Sequence, residues 1–274
     1  MSAKDLKPEN LAIDNFQHYF NYFYNQSFLW LMSDITKDYL ITPHNKAKNK
    51  KELLISYWLI LKLRLFIQQL VVKWVFPPNN INILMKERII GLLDSVSYDI
   101  VITYNNVPII VIDTYYFMSN VSRNFQRIFK NIVFNANNVN QHDWLEYIPF
   151  ILINEESPSF VSDDSKELEK MEEFNLVQLA KLYNLSICKH NKIDMFALIL
   201  APYIDVDNSK KGNNIKVKVP KFSTTDFFLT QAIRDGYVAQ DIDNIRKKIV
   251  ISSTEEFIKM ILAKIATRMK GANY

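Results

Sequence analysis

The sequence predicts an α/β fold, a mixed sheet flanked by helices, and three stretches carry that reading. DIVI at 99–102 and VPIIVID at 107–113 are dense in β-branched residues, and the intervening Asn105-Asn106 suits the left-handed turn of a tight hairpin. VSRNFQRIFKNIVF at 121–134 places Val121, Phe125, Ile128, Phe129, Ile132 and Val133 at helical spacing, leaving Ser122, Arg123, Gln126, Arg127 and Lys130 on the opposite face. YIPFILINEE at 147–156 is a short, continuously apolar run, which suits a strand buried on both faces. The core order is therefore β-β-α-β.

Upstream, the first ninety or so residues read as helical: an aromatic segment from Asn15 to Trp30, a basic linker PHNKAKNKK at 43–51, and a long apolar segment at 53–76. Pro77-Pro78-Asn79-Asn80 stops that segment, and a shorter helix is expected from Ile81 to Leu93. The apolar segment is long enough to span a bilayer, but Lys62, Arg64, Gln68, Gln69 and Lys73 interrupt it. Each charge at mid-bilayer costs roughly 2.5 to 3.5 kcal/mol, so a buried core helix is expected and no membrane partner.

Downstream, the Ser-, Asp-, Glu- and Lys-rich stretch from Ser157 to Glu173 marks a domain boundary. Helices are expected at Phe174–Asn184 and around Ile193 to Leu200, then a polar loop at 207–214 and a strand in KVKVP. No internal repeat is visible.

Composition bounds the function. With 274 residues, 49% hydrophobic and 23% charged, the chain can bury a large core. A net charge of +4 and pI near 8.8 are compatible with phosphate contacts without demonstrating them. The single Cys188 excludes an internal disulfide and a thiolate zinc site, and its neighbour His190 stands at a chance spacing rather than a nucleophilic pair. The N-terminal residues lack a secretory or transit pattern, so the cytoplasm is expected, or the nucleus if the source is eukaryotic. Only four glycines occur, which rules out a Gly-rich phosphate cradle. His18, His44, His142 and His190 are scattered, without a helical pair spaced for zinc.

The chemistry concentrates on Asp99 and Asp113, one at the start and one at the end of paired strands, which brings two carboxylates to one sheet edge. Hard oxygen ligands of this kind suit Mg²⁺, which polarises a phosphoryl group and activates water. The alternative is a buried hairpin with an acid just outside each strand end.

Residues 97–156, with Tyr98-Asp99, Ile112-Asp113-Thr114-Tyr115, the helix and the apolar strand, resemble the PD-(D/E)XK, or restriction-endonuclease-like, nuclease superfamily. The resemblance implies an α/β nuclease-like domain at 1–160 with a helical N-terminal part, Asp99 and Asp113 as metal ligands, and Mg²⁺ as cofactor. It also implies a lysine two residues after the second acid, where this chain has Tyr115, which supplies no positive charge at neutral pH. Lys130, or else Arg127, on the following helix is the candidate substitute, and Glu52 the candidate third ligand. Arg123 and Arg127 would contact nucleic acid.

At 225–253 a helix carrying Phe228 and Ala232, a Gly236 stop and short strands around Val238–Ile242 and Lys248–Ile251 describe a winged-helix-like end, giving a second domain at 170–274. Arg246, Lys247 and Lys248 lie at the wing turn, where a DNA-binding wing meets phosphate. The stretch DGYVAQDIDNIRKKIVIS also resembles the winged helix that closes PCI domains, which packs subunits side by side.

Two functions follow. One is a Mg²⁺-dependent DNA endonuclease, of restriction or transposon-end type, or a catalytically lapsed relative. The other is a non-catalytic scaffold subunit, for which the amphipathic EEFIKMILAKIATRM would offer an exposed apolar patch to partners, homodimeric or otherwise.

Overall fold

A computed structural model describes residues 31–33, 35, 50–73, 80–117, 120–139, 142–154, 156–160, 168–173, 196–200, 204–207, 214–217 and 254–271. Within them, helix α1 (Lys50–Val72) precedes strands β1 (Ile81–Ile90), β2 (Ser95–Tyr104) and β3 (Val107–Phe117). Helix α2 (Val121–Val139) then leads to β4 (Glu146–Asn154). Short strands β5 (Glu156–Phe160), β6 (Leu168–Glu173), β7 (Phe196–Leu200), β8 (Ile204–Asp207) and β9 (Asn214–Val217) follow, and helix α3 (Thr254–Gly271) ends the described chain.

The main sheet has the order β1-β2-β3-β4-β7. Its first three strands form an antiparallel meander, while β4 and β7 run parallel to β3. A chain entering β4 parallel to β3 must cross over the sheet, and α2 is that crossover. The sheet is mixed and flanked by helices, as expected; β5-β6 and β8-β9 are separate hairpins.

The β2-β3 turn is built as its sequence dictates: Asn105 and Asn106 both take positive φ, 50° and 64°. Asn tolerates this region better than other residues with a Cβ, and such a turn matches the strand twist. Every residue of β4 is buried, in accord with a strand covered on both faces.

One face of the sheet packs on α1 and α3. Ile100, Ile102, Ile110, Ile112, Ile148, Phe150 and Leu152 share a core with Leu54, Ile55, Trp58 and Leu59 of α1 and with Phe257, Ile258, Ile261 and Ile265 of α3. The Phe150 and Phe257 rings stand 4.4 Å apart. On α2, Phe125, Ile128, Ile132, Ala136 and Val139 are buried, and Phe125 lies against Phe117 of β3. The stretch Glu52–Val72 is long and apolar enough to cross a membrane, and 44% of its most apolar window is buried inside the protein.

Four expectations are corrected. Residues 81–90 form a strand rather than a helix, because INILMKERII pairs with β2 on both sides of Lys86. Phe196–Leu200 is likewise a strand, added parallel to β4. FALIL is a short apolar run that periodicity alone leaves ambiguous, and an open strand edge decides it. The apolar face of α3, expected as an exposed patch, is buried in the core. The strand expected in KVKVP begins earlier, as Asn214–Val217. The aromatic segment 15–30, the helix at 174–184, Cys188 and the whole winged-helix-like segment 225–253 lie outside the described residues.

Candidate functional site

Asp99 and Asp113 meet because β2 and β3 are antiparallel neighbours: Ile100 pairs with Ile112, which sets the two acids opposite one another at the next step. The Asp99 amide donates to Asp113 Oδ1 at 3.2 Å. Thr114 donates twice to Asp99 Oδ2, from its amide and its hydroxyl, each at 2.8 Å. The same hydroxyl lies 3.1 Å from Ser56 Oγ and 3.3 Å from the Glu52 carbonyl, which ties the pair to the start of α1.

Asp113 Oδ2 is surrounded by donors from three elements. Asn135 of α2 donates at 2.8 Å, Tyr147 of β4 at 3.2 Å and Tyr115 of β3 at 3.4 Å. The two tyrosine hydroxyls are themselves 3.2 Å apart. Both acids are nearly inaccessible, 7% exposed for Asp99 and 6% for Asp113.

Burial pushes the Asp113 carboxyl up to about 6, with the Asp99 charge adding to it; the donors from Asp99, Asn135 and Tyr147 pull the other way. Burial also raises the Tyr115 and Tyr147 hydroxyls well above the usual phenol range, so both stay protonated and can donate. A buried carboxylate pair of this kind calls for a cation.

The structure supplies one that the sequence reading missed. The Lys86 ammonium of β1 contacts Asp99 Oδ1 as an ion pair. Lys86 holds a φ of 54° and falls between the pairs Met85↔Ile100 and Glu87↔Tyr98, directly across the ladder from Asp99. A left-handed backbone at a residue with a Cβ costs on the order of 1 to 3 kcal/mol and persists only where its surroundings impose it.

A cavity of about 670 Å³ opens onto this cluster, lined among others by Glu52, Lys86, Asp99, Asp113, Arg127 and Asn135. A larger one, about 860 Å³, is lined among others by Tyr104, Trp144, Glu146, Lys264 and Arg268. There the buried Glu146 is matched by Lys264 and Arg268, an arrangement that fastens α3 to the start of β4. The perturbed acid pair belongs to the smaller cavity, and we place the candidate site there.

The fold thus brings Asp99, Asp113, Glu52 and Arg127 together. Lys130 is exposed on α2 and does not line the cavity. Arg127, one turn earlier, does line it, and its guanidinium donates to Asn124 at 3.2 Å. Arg123 pairs with Glu169 of β6 at 3.5 Å. Arg246, Lys247, Lys248, His18, His44 and His190 lie outside the described residues. His142 meets the Ile90 carbonyl and the Trp144 ring instead of the acids.

No family model, curated protein or solved structure matches this chain.

Among the described residues, no three His, Cys, Asp or Glu side chains form a metal-binding group, so Glu52 lines the cavity without completing a three-acid centre. Two carboxylates are nevertheless a sufficient donor set for Mg²⁺, which commonly takes one or two and keeps several waters. Asp99 and Asp113 fit that description. Lys86, already on Asp99, marks the spot as one that accepts positive charge.

Proposed function

We propose that this chain carries a divalent-cation-dependent phosphodiesterase site of the restriction-endonuclease-like kind and that it cuts DNA. The observation that carries the reading is the convergence of the Asp99 and Asp113 carboxylates on adjacent antiparallel strands at the mouth of one cavity. The mixed sheet with flanking helices is the architecture that the resemblance implies.

In this reading Asp99 and Asp113 hold the cation, Mg²⁺ by choice of hard ligands. Such a cation supplies Lewis acidity toward a phosphoryl oxygen. Asn135, Tyr147 and Tyr115 fix the Asp113 carboxylate in orientation, because they donate to one oxygen and leave the other with a single amide partner. Arg127, on the cavity wall, is placed to meet a backbone phosphate. Lys86 brings the positive charge that Tyr115 lacks, from the opposite neighbour of β2. The scaffold alternative rests on the PCI-like segment, which lies outside the described residues; the exposed apolar patch it expects near α3 finds no support in Phe257, Ile258, Ile261 and Ile265, which are buried.

The test is plasmid nicking with Mg²⁺ and with EDTA, by the wild type and by Asp113→Asn. Nicking with Mg²⁺ alone, abolished in the variant while DNA binding persists, is the expected result. Absence of nicking by the wild type with Mg²⁺ or Mn²⁺, or nicking that survives Asp113→Asn, overturns it.

A further inference from the structure

We infer that the Lys86 ammonium is a built-in counter-cation, seated on Asp99 in the cation-free protein and displaced from it when a divalent cation binds. The inference rests on the cation-dependent reading above and adds to it the occupant of the site at rest.

The hydrogen bonds of the two acids single out one place for positive charge. Asp99 Oδ2 already accepts twice from Thr114, and Asp113 Oδ2 faces three donors. The oxygens with acceptor capacity left are Asp99 Oδ1 and Asp113 Oδ1, the latter holding only the 3.2 Å contact from the Asp99 amide. Lys86 sits on Asp99 Oδ1. A divalent cation held by both acids would compete with Lys86 for Asp99, because two positive charges on one carboxylate repel.

Lys86 is also the donor able to leave. The Lys86 side chain is 49% exposed, whereas the other side chains that donate to the pair come from buried or partly buried positions on β3, β4 and α2. Its ammonium rides on a flexible four-carbon stem that water can solvate once released. Among the described residues β1 is the sheet edge, and no further described strand lies on its outer side. Once displaced, the ammonium remains at the mouth of the cavity, where a phosphodiester would lie.

This assigns Lys86 effects of opposite sign on binding and on turnover. Mn²⁺ binding is measured by titration calorimetry on the wild type, Lys86→Gln, Lys86→Arg and Asp99→Asn. Lys86→Gln is expected to bind Mn²⁺ about 2- to 5-fold more tightly, the scale of one partly screened ion pair, and to nick DNA more slowly. Lys86→Arg keeps the charge and is expected to bind as the wild type does. A Lys86→Gln affinity equal to or weaker than the wild type's overturns the inference and leaves the cation-dependent reading standing. Absence of Mn²⁺ binding in both the wild type and Lys86→Gln, or binding that Asp99→Asn does not weaken, overturns both. If Lys86→Gln does not fold, acylation of the Lys86 amine in the wild type, followed by peptide mass spectrometry, decides. Saturating Mn²⁺ should raise its labelling rate, and an unchanged rate sinks the inference.

Discussion

Asn135 of α2 places its amide nitrogen 2.8 Å from Asp113 Oδ2, so one side chain on the crossover helix orients a carboxylate on the neighbouring strand. The contact favours the ionised acid, because an N–H donor stabilises the charge it points to. Asn135→Ala is therefore expected to raise the Asp113 pKa above its present value of about 6. Carboxyl carbon NMR titration of Asp113 in the two proteins measures the change directly. An unchanged or lower midpoint in the variant would contradict the orienting role. The acid limb of any nicking profile should move to higher pH with it.

The raised Asp113 pKa also has a stability consequence. An unfolded Asp titrates near 3.8 and the folded one near 6, so the folded state binds a proton more tightly. Its contribution to stability is fully present below about pH 4 and is lost as pH rises through 6. The wild type should therefore lose stability between about pH 4 and 6 relative to Asp113→Asn, whose side chain does not titrate. The loss is about 3 kcal/mol at most, given about 1.4 kcal/mol per pH unit. Urea unfolding of both proteins across that range checks it, and parallel profiles would exclude a raised Asp113 pKa.

Much of this site was legible in the sequence, and the part that was not has a definite cause. Asp99 and Asp113 flank β-branched runs joined by Asn105-Asn106, so local propensity and turn chemistry together bring the acids opposite one another. The polar face of α2 was equally plain, since a period of 3.6 places Arg127 and Lys130 on it; which of the two reaches the cavity depends on how the helix is rotated against the sheet. Lys86 was hidden by a wrong period. INILMKERII has charged residues between apolar ends, a pattern that fits a helix as well as an edge strand, and only pairing with β2 decides between them. Reading it as a helix removed Lys86 from the neighbourhood of Asp99. Asn135 and Tyr147 carry no local signal, because their role comes from strand order and helix docking.

Helix α3 lies far along the chain from the sheet it packs on, yet Phe257 is fully buried with its ring 4.4 Å from that of Phe150. Truncating a buried Phe costs about 3 to 5 kcal/mol, through lost burial and the cavity left behind. Phe257→Ala should lower global stability by that amount in a single transition seen alike by circular dichroism and tryptophan fluorescence. A two-step transition, with the sheet unfolding at the wild-type midpoint, would mean that α3 is an independent unit.

The β1-β2 turn offers a test of coupling, because it rests on one buried side chain. Asn138 of α2 is fully buried; it accepts from the amides of Leu93 and Asp94, at 2.7 and 2.9 Å, and donates to the Asp94 carbonyl at 2.9 Å. Gly91 packs so closely on it that an added Cβ would lie 2.1 Å from Asn138 Nδ2. Asn138→Ala strands two amide donors, a cost of roughly 1 to 3 kcal/mol. Gly91→Ala forces the Asn138 side chain off those partners or bends the turn, about 1 to 3 kcal/mol by overpacking. The two penalties share a cause, since removing the Asn138 amide also makes the room that alanine at 91 needs. The double variant is therefore expected to be less destabilised than the sum of the singles, by about 0.5 kcal/mol or more, the range for residues in contact. Additive losses in urea unfolding would mean that Gly91 is required for the backbone path of the turn and not for its contact with Asn138.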